Sequence, residues 1–131
     1  MQHLALLSLV IDEYDQAIAY YTQKLRFELL EDTDMGGGKR WVVVAPPGAK
    51  GCKILLARAA NELQQSRIGN QTGGRVFLFL HSDDFEGDYN NLLLQDVKIV
   101  RERTVEEWGI VCVFQDTYGN LWDLIQPTNK Q

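Results

Sequence analysis

Apolar positions along this chain fall into short blocks separated by turn-forming residues, and the blocks follow two different periods. Residues 4–11 are an almost unbroken apolar run ended by Asp12. A run this short suits a strand covered on both faces. Asp12 then reads as a helix N-cap, with Glu13 and Asp15 in the first turn. Tyr14, Ala17, Ile18, Tyr21 and Leu25 recur at helical steps and predict one buried helix face ending near Leu25. Residues 27–31 predict a short strand, residues 32–39 with Gly36, Gly37 and Gly38 a turn, and residues 40–45 a strand ended by Pro46-Pro47-Gly48. Residues 52–57 complete the first set.

Residues 59–74 are polar and weakly patterned, with Gly69, Gly73 and Gly74 near their end. They read as a linker or a lid. The order then repeats. Residues 75–81 predict a strand bounded by Ser82-Asp83-Asp84, and Phe85, Tyr89, Leu92 and Leu93 predict a helix that Gly87 weakens. Residues 97–104 set Val97 and Ile99 against Lys98 and Arg101, as a half-exposed strand does. Strands over 110–114 and 121–126 flank the turn Asp116-Thr117-Tyr118-Gly119.

The predicted order is therefore β-α-β-β-β, linker, β-α-β-β-β. Asp12 and Asp84 lie 72 residues apart, and the closing hairpins align at an offset of 68, placing Trp41 on Gly109, Gly51 on Gly119 and Leu55 on Asp123. A duplication is the simplest source of such spacing. The expected fold is α+β: a single domain built of module 1 (3–58), an inter-module segment (59–74) and module 2 (75–127). Two curved sheets would form a cup with the helices outside, and a cup between repeats is where a small ligand would bind.

Composition narrows the function classes. The chain has 131 residues, 45% hydrophobic and 24% charged, which fits one folded domain rather than a disordered chain. Thirteen Lys and Arg against eighteen Asp and Glu give a net charge of −5, which argues against nucleic acid as a partner. No apolar run is long enough for a bilayer, and the start of the chain carries no secretion signal, so no membrane association and a cytoplasmic location are expected. Cys52 and Cys112 lie in apolar stretches and read as reduced core thiols, with a single disulfide as the alternative.

The stretch Asp12-Glu13-Tyr14-Asp15-Gln16-Ala17-Ile18-Ala19-Tyr20-Tyr21-Thr22-Gln23-Lys24-Leu25 resembles the first helix of the vicinal oxygen chelate superfamily. The stretch Phe114-Gln115-Asp116-Thr117-Tyr118-Gly119-Asn120-Leu121-Trp122-Asp123-Leu124 is similar to that family's closing hairpin. The superfamily contains glyoxalase I, bleomycin-resistance proteins, extradiol dioxygenases and fosfomycin-resistance enzymes, and the resemblance covers roughly residues 4–127. It implies the glyoxalase-like two-module fold, a homodimer, and a choice among binding, isomerisation, ring cleavage and conjugation, because fold alone does not select function.

In enzymatic members a divalent metal is held by His and Glu from four equivalent strand positions and polarises two vicinal substrate oxygens. The resemblance carries those positions onto Leu6, fifteen residues before Tyr21, onto Leu55, onto Phe77 or a neighbour within one residue, and onto Asp123. Three of the four are apolar. Metal ligands are therefore expected to be none, and no cofactor is expected. The reading that follows is a cytosolic protein that binds a small polar or aromatic molecule in the cup without a tightly bound metal. One alternative is a lactoylglutathione-lyase-like enzyme dependent on Ni²⁺, Zn²⁺ or Fe²⁺, with Asp123 and His81 as makeshift ligands. Another is an antibiotic- or metabolite-sequestering protein without catalysis.

The candidate site residues are Arg40, Trp41, Gln71, Phe77, His81 and Asp123. Asp123 stands between Trp122 and Leu124 and is the candidate catalytic or acceptor carboxylate; the bland reading has it in solvent or paired with an arginine such as Arg40. Arg40 offers a planar fork for an anion and Trp41 a stacking face; the bland readings are an edge arginine and a core tryptophan. Gln71 lies in the inter-module loop, with an amide for a ligand or an ordinary crossover role. His81 is a proton shuttle or metal ligand in one reading and a surface residue in the other. His3 falls on the opposite strand face from Leu6 and reads as a bystander. Glu106-Glu107-Trp108 reads as either a pocket rim or a solvated hairpin loop.

Overall fold

The computed structural model of the chain describes residues 1–48 and 50–128. These divide into two compact units, one ending at Ile68 and the other beginning at Gly69. The first holds β1 (Leu6–Ile11), α1 (Tyr14–Ala19), β2 (Glu28–Gly36), β3 (Lys39–Ala45), β4 (Lys53–Arg58) and α2 (Glu62–Arg67). The second holds β5 (Val76–His81), α3 (Phe85–Leu94), β6 (Lys98–Glu106), β7 (Gly109–Gln115) and β8 (Leu121–Pro127). Each unit carries one four-stranded sheet, in the orders β1-β4-β3-β2 and β5-β8-β7-β6. In each, the first and last strands pair in parallel and the rest are antiparallel. The duplicated βαβββ order read from the sequence is thus the architecture. No helix among the described residues is long and apolar enough to cross a membrane.

In the first unit α1 lies against β3 and β4. Alternation along the strands turns Leu9, Ile11, Val42, Val44 and Leu56 toward it, where they are buried with Tyr14, Ala17 and Tyr21. Each of the buried leucines, isoleucines and valines contributes roughly 2 kcal/mol by leaving water. Asp12 is not the N-cap: Glu13 takes that place without a side-chain bond. Past Ala19 the helix widens into a π-helical turn over Tyr20–Lys24, where the Thr22 hydroxyl donates to the Ile18 carbonyl at 2.7 Å.

Residues 32–39, expected to form a turn, are mostly strand. Strand β2 runs to Gly36, because Asp32, Thr33 and Asp34 pair with Val42, Trp41 and Arg40 and only Gly37 and Gly38 remain to reverse the chain. All three glycines hold positive φ, which suits the reversal. Residues 59–74 also gain structure: α2 forms within them, capped by Asn61, whose side chain accepts from the Gln64 amide at 2.9 Å.

In the second unit α3 lies against β6 and β8 over a core of Phe85, Tyr89, Leu92, Cys112, Phe114, Trp122 and Leu124. Asp84 caps this helix, accepting from the Gly87 amide at 3.1 Å. Phe114 and Trp122, directly opposite on β7 and β8, stack at 5.6 Å between ring centres. Both cysteines are free: Cys112 is buried, whereas Cys52 is half-buried and precedes β4 rather than lying in the core.

The repeat is also less uniform than one offset implies. Val43 pairs with Leu55 and Val113 with Asp123. The equivalent of Leu55 is therefore Asp123, as expected, but that of Val43 is Val113, and Trp41 falls on Val111 rather than Gly109. The turn between the last two strands is two residues longer in the first unit.

Candidate functional site

Each sheet has one face toward its helix and one away from it. The second unit's helix-free face follows from register, since directly paired residues share a face. One row crosses all four strands: Phe79 pairs with Asp123, Asp123 with Val113, and Val113 with Arg101. The next row is His81, Ile125, Val111 and Thr104. Val111, Val113 and Ile125 are buried, Asp123 is half-buried, and Phe79 is 64% exposed. An aromatic ring and a carboxylate therefore stand side by side on a face whose valines and isoleucine are buried. Burial raises the Asp123 carboxyl above the ordinary aspartate value, and the positive charge of Arg101 partly offsets this.

His81 is exposed at the end of β5 and shares this face with Phe79 and Asp123. It takes no part in the cap of α3, which is supported instead by the Ser82 hydroxyl: this accepts from the Asp84 amide at 2.9 Å and donates to Asp88 at 2.6 Å. Phe77 is half-buried and occupies a bulge in β5, between the pairs Val76–Leu121 and Leu78–Trp122. Pairing makes Val76 the counterpart of Leu6, since Leu6 pairs with Lys53 as Val76 pairs with Leu121. Gln71 lies half-buried in the turns leading to β5.

The first unit separates Arg40 from Trp41. Successive strand residues point to opposite faces, and Arg40 is on the α1 side. Its Nε and Nη2 donate to the two carboxylate oxygens of Asp32 at 3.1 and 2.8 Å, and its Nη1 donates to Asp15 at 2.9 Å. Its guanidinium also stands 5.2 Å from the centre of the Tyr14 ring. The hydrogen bond from Arg40 holds the Asp32 carboxyl below the usual range, and Asp32 and then Asp15 hold the guanidinium charged. The fork expected to anchor an anion is filled from within, and Asp123 is not its partner. Trp41 is half-buried on the helix-free face, the face that Leu6, Val43 and Leu55 share by pairing.

The four positions that would hold the family's metal therefore offer Leu6, Leu55, Val76 or Phe77, and one carboxylate at Asp123. Such a donor set does not fit a divalent ion, which needs several imidazole or carboxylate ligands. Among the described residues no three His, Cys, Asp or Glu side chains are grouped as metal ligands would be.

Sequence reasoning missed Arg101 and Phe79 as members of the row. The signal for Arg101 was present in the odd three-residue step from Lys98. Bulges between Ile99 and Arg101, and again between Arg101 and Thr104, put Lys98 and Arg101 on the same face despite that step. The same irregularity sends Arg103 to the helix side, where it pairs with Glu86 and lies over the Phe85 ring at 5.6 Å.

The chain is 52% identical over 131 residues to an uncharacterized protein of Shewanella frigidimarina (strain NCIMB 400), covering 99% of this chain and 97% of that one. Among solved structures it is similar to UcmS2, with a TM-score of 0.82 and 26% identity over 95% of this chain and 98% of that one. It is also similar to TnmS3, an antibiotic binding protein from Streptomyces sp. CB03234, with a TM-score of 0.77 and 27% identity over 98% of both chains. The family model of the Glyoxalase/Bleomycin resistance protein/Dioxygenase superfamily matches residues 1–124, and the chain belongs to that superfamily.

Proposed function

We propose that this protein binds a small molecule with aromatic character on the helix-free face of its second sheet, without a tightly held metal. The observation that carries the reading is the pair Phe79 and Asp123: an exposed aromatic ring beside a half-buried carboxylate, flanked on the same face by buried valines and an isoleucine. Stacking on the ring supplies affinity and the carboxylate supplies direction. The likeness to an antibiotic binding protein supports the ligand class, and the apolar residues at three of the four ligand positions support the absence of a tight metal. Within this reading the protein works in the cytoplasm as a homodimer.

Thermal-shift screening of the purified protein against planar aromatic antibiotics and phenolic metabolites tests it. A hit is expected to stabilise the wild type in a dose-dependent way and to lose most of that effect in Phe79→Ala. Metal analysis after incubation with Ni²⁺, Zn²⁺ and Fe²⁺ and desalting is expected to find no stoichiometric metal. Retention of one ion per chain that Asp123→Ala abolishes would overturn the metal-free reading and redirect the assay to hemithioacetal isomerisation. Light scattering on eluted protein checks the dimer.

A further inference from the structure

The row on the second sheet has a polar group at each of two separated points, and the chemistry between them constrains the ligand. Asp123 lies on β8 and Arg101 on β6, with Val113 of β7 between them and Phe79 of β5 beyond Asp123. Adjacent strands are about 4.8 Å apart, so the carboxylate and guanidinium arise from backbone positions about 10 Å apart. Among the described residues no carboxylate lies within ion-pair distance of Arg101; its charge reaches Asp123 without direct contact, and the residue is exposed. Other arginines of the chain are engaged. Arg103 is committed to Glu86, and Arg40 to Asp32 and Asp15.

We infer that Arg101 is a second polar anchor, so that the ligand is an elongated aromatic molecule with a hydrogen-bond donor near Asp123 and an anionic group about two strand spacings away. The inference rests on the reading of this face as the binding surface and deepens it to a substrate class. A carboxylate accepts from a hydroxyl or amine, and a guanidinium donates two parallel hydrogen bonds to a carboxylate or sulfonate. Val113 between them offers no polar group, so a flat apolar framework spans the gap without leaving a donor unpaired. Lys98 also lies on this face, one row away beside Gln115. The first unit has no such pair, since the row equivalent to Phe79, Asp123, Val113 and Arg101 is Ser8, Leu55, Val43 and Glu31.

Three probes of one shape separate the terms: 6-hydroxy-2-naphthoate carries both groups, 2-naphthol the donor alone, and 2-naphthoate the anion alone. Calorimetric titration of the full chain is expected to give the two-ended probe at least about tenfold tighter binding than either other probe. Arg101→Met is expected to reduce it to the level of 2-naphthol while leaving 2-naphthol unchanged. Asp123→Leu, which installs the residue the first unit uses at this position, is expected to reduce it to the level of 2-naphthoate. Thermal melts of both variants establish that they are folded. Equal binding of all three probes, each dependent on Phe79, would overturn the two-anchor assignment and leave the aromatic surface standing. Loss on Lys98→Met instead of Arg101→Met would overturn it by giving the anion to the other cation. Binding of none of the probes would remove the surface and the anchors together.

Discussion

Two aspartates seven residues apart do opposite work. The Asp116 carboxylate is buried at the β7–β8 turn and accepts from the amides of Tyr118, Gly119 and Asn120, the Asn120 side chain and the Trp122 indole, at 3.0 to 3.3 Å. Asp116→Ala would orphan those buried donors, and a loss of about 3 kcal/mol or more in denaturant unfolding is expected. Asp123 is instead held in a partly dry place that disfavours its charge. Its folded-state pKa is raised, so the folded protein holds the proton more tightly than the unfolded chain. Stability from this group is full below the ordinary value of 3.8 and falls as pH rises through the raised one. Asp123→Asn is therefore expected to raise the melting temperature at pH 7 more than at pH 3, which scanning calorimetry would read directly. Cys112 is buried against the same sheet, and burial first, then the Asp123 charge, pushes its thiol up to about 11. Timed alkylation at pH 8 with intact-mass detection is expected to modify Cys52 readily and to leave Cys112 protected until the protein unfolds.

Elements were legible where one physical term dominated. The helix over Phe85, Tyr89, Leu92 and Leu93 shows its period and its Asp84 cap in the sequence; the cap and the first three buried positions stand in the structure, whereas Leu93 is exposed. The β2 turn was misplaced because aspartate and glycine are turn formers locally, while Asp32 is spent across the hairpin on Arg40. Position 69 shows the same dependence on neighbours distant in sequence. Gly69 has φ +73, and a Cβ there would come within 1.8 Å of the Tyr118 carbonyl oxygen. Gly69→Ala is therefore expected to cost more than about 2 kcal/mol in chemical denaturation, whereas Gly73→Ala, with open space around it, should cost less. The bulges in β5 and β6 had no sequence signature beyond an odd polar step, yet they decide which side chains face the same way.

For the molecule as a whole, the chain's own pattern determined the two βαβββ units and the superfamily, because strand and helix periods and turn residues are local properties repeated along the chain. It also determined that Leu6 and Leu55 bring no metal donor to their positions, because that is a matter of residue identity. Membership in the site was another matter. Trp41 and Arg40 are adjacent in sequence yet face opposite sides of one sheet, while Phe79, Asp123, Val113 and Arg101 are scattered over four strands yet form one row. Only tertiary structure decided this, because the pairing register and its bulges, set by which side chains can bury together, assign each residue its face and its neighbours.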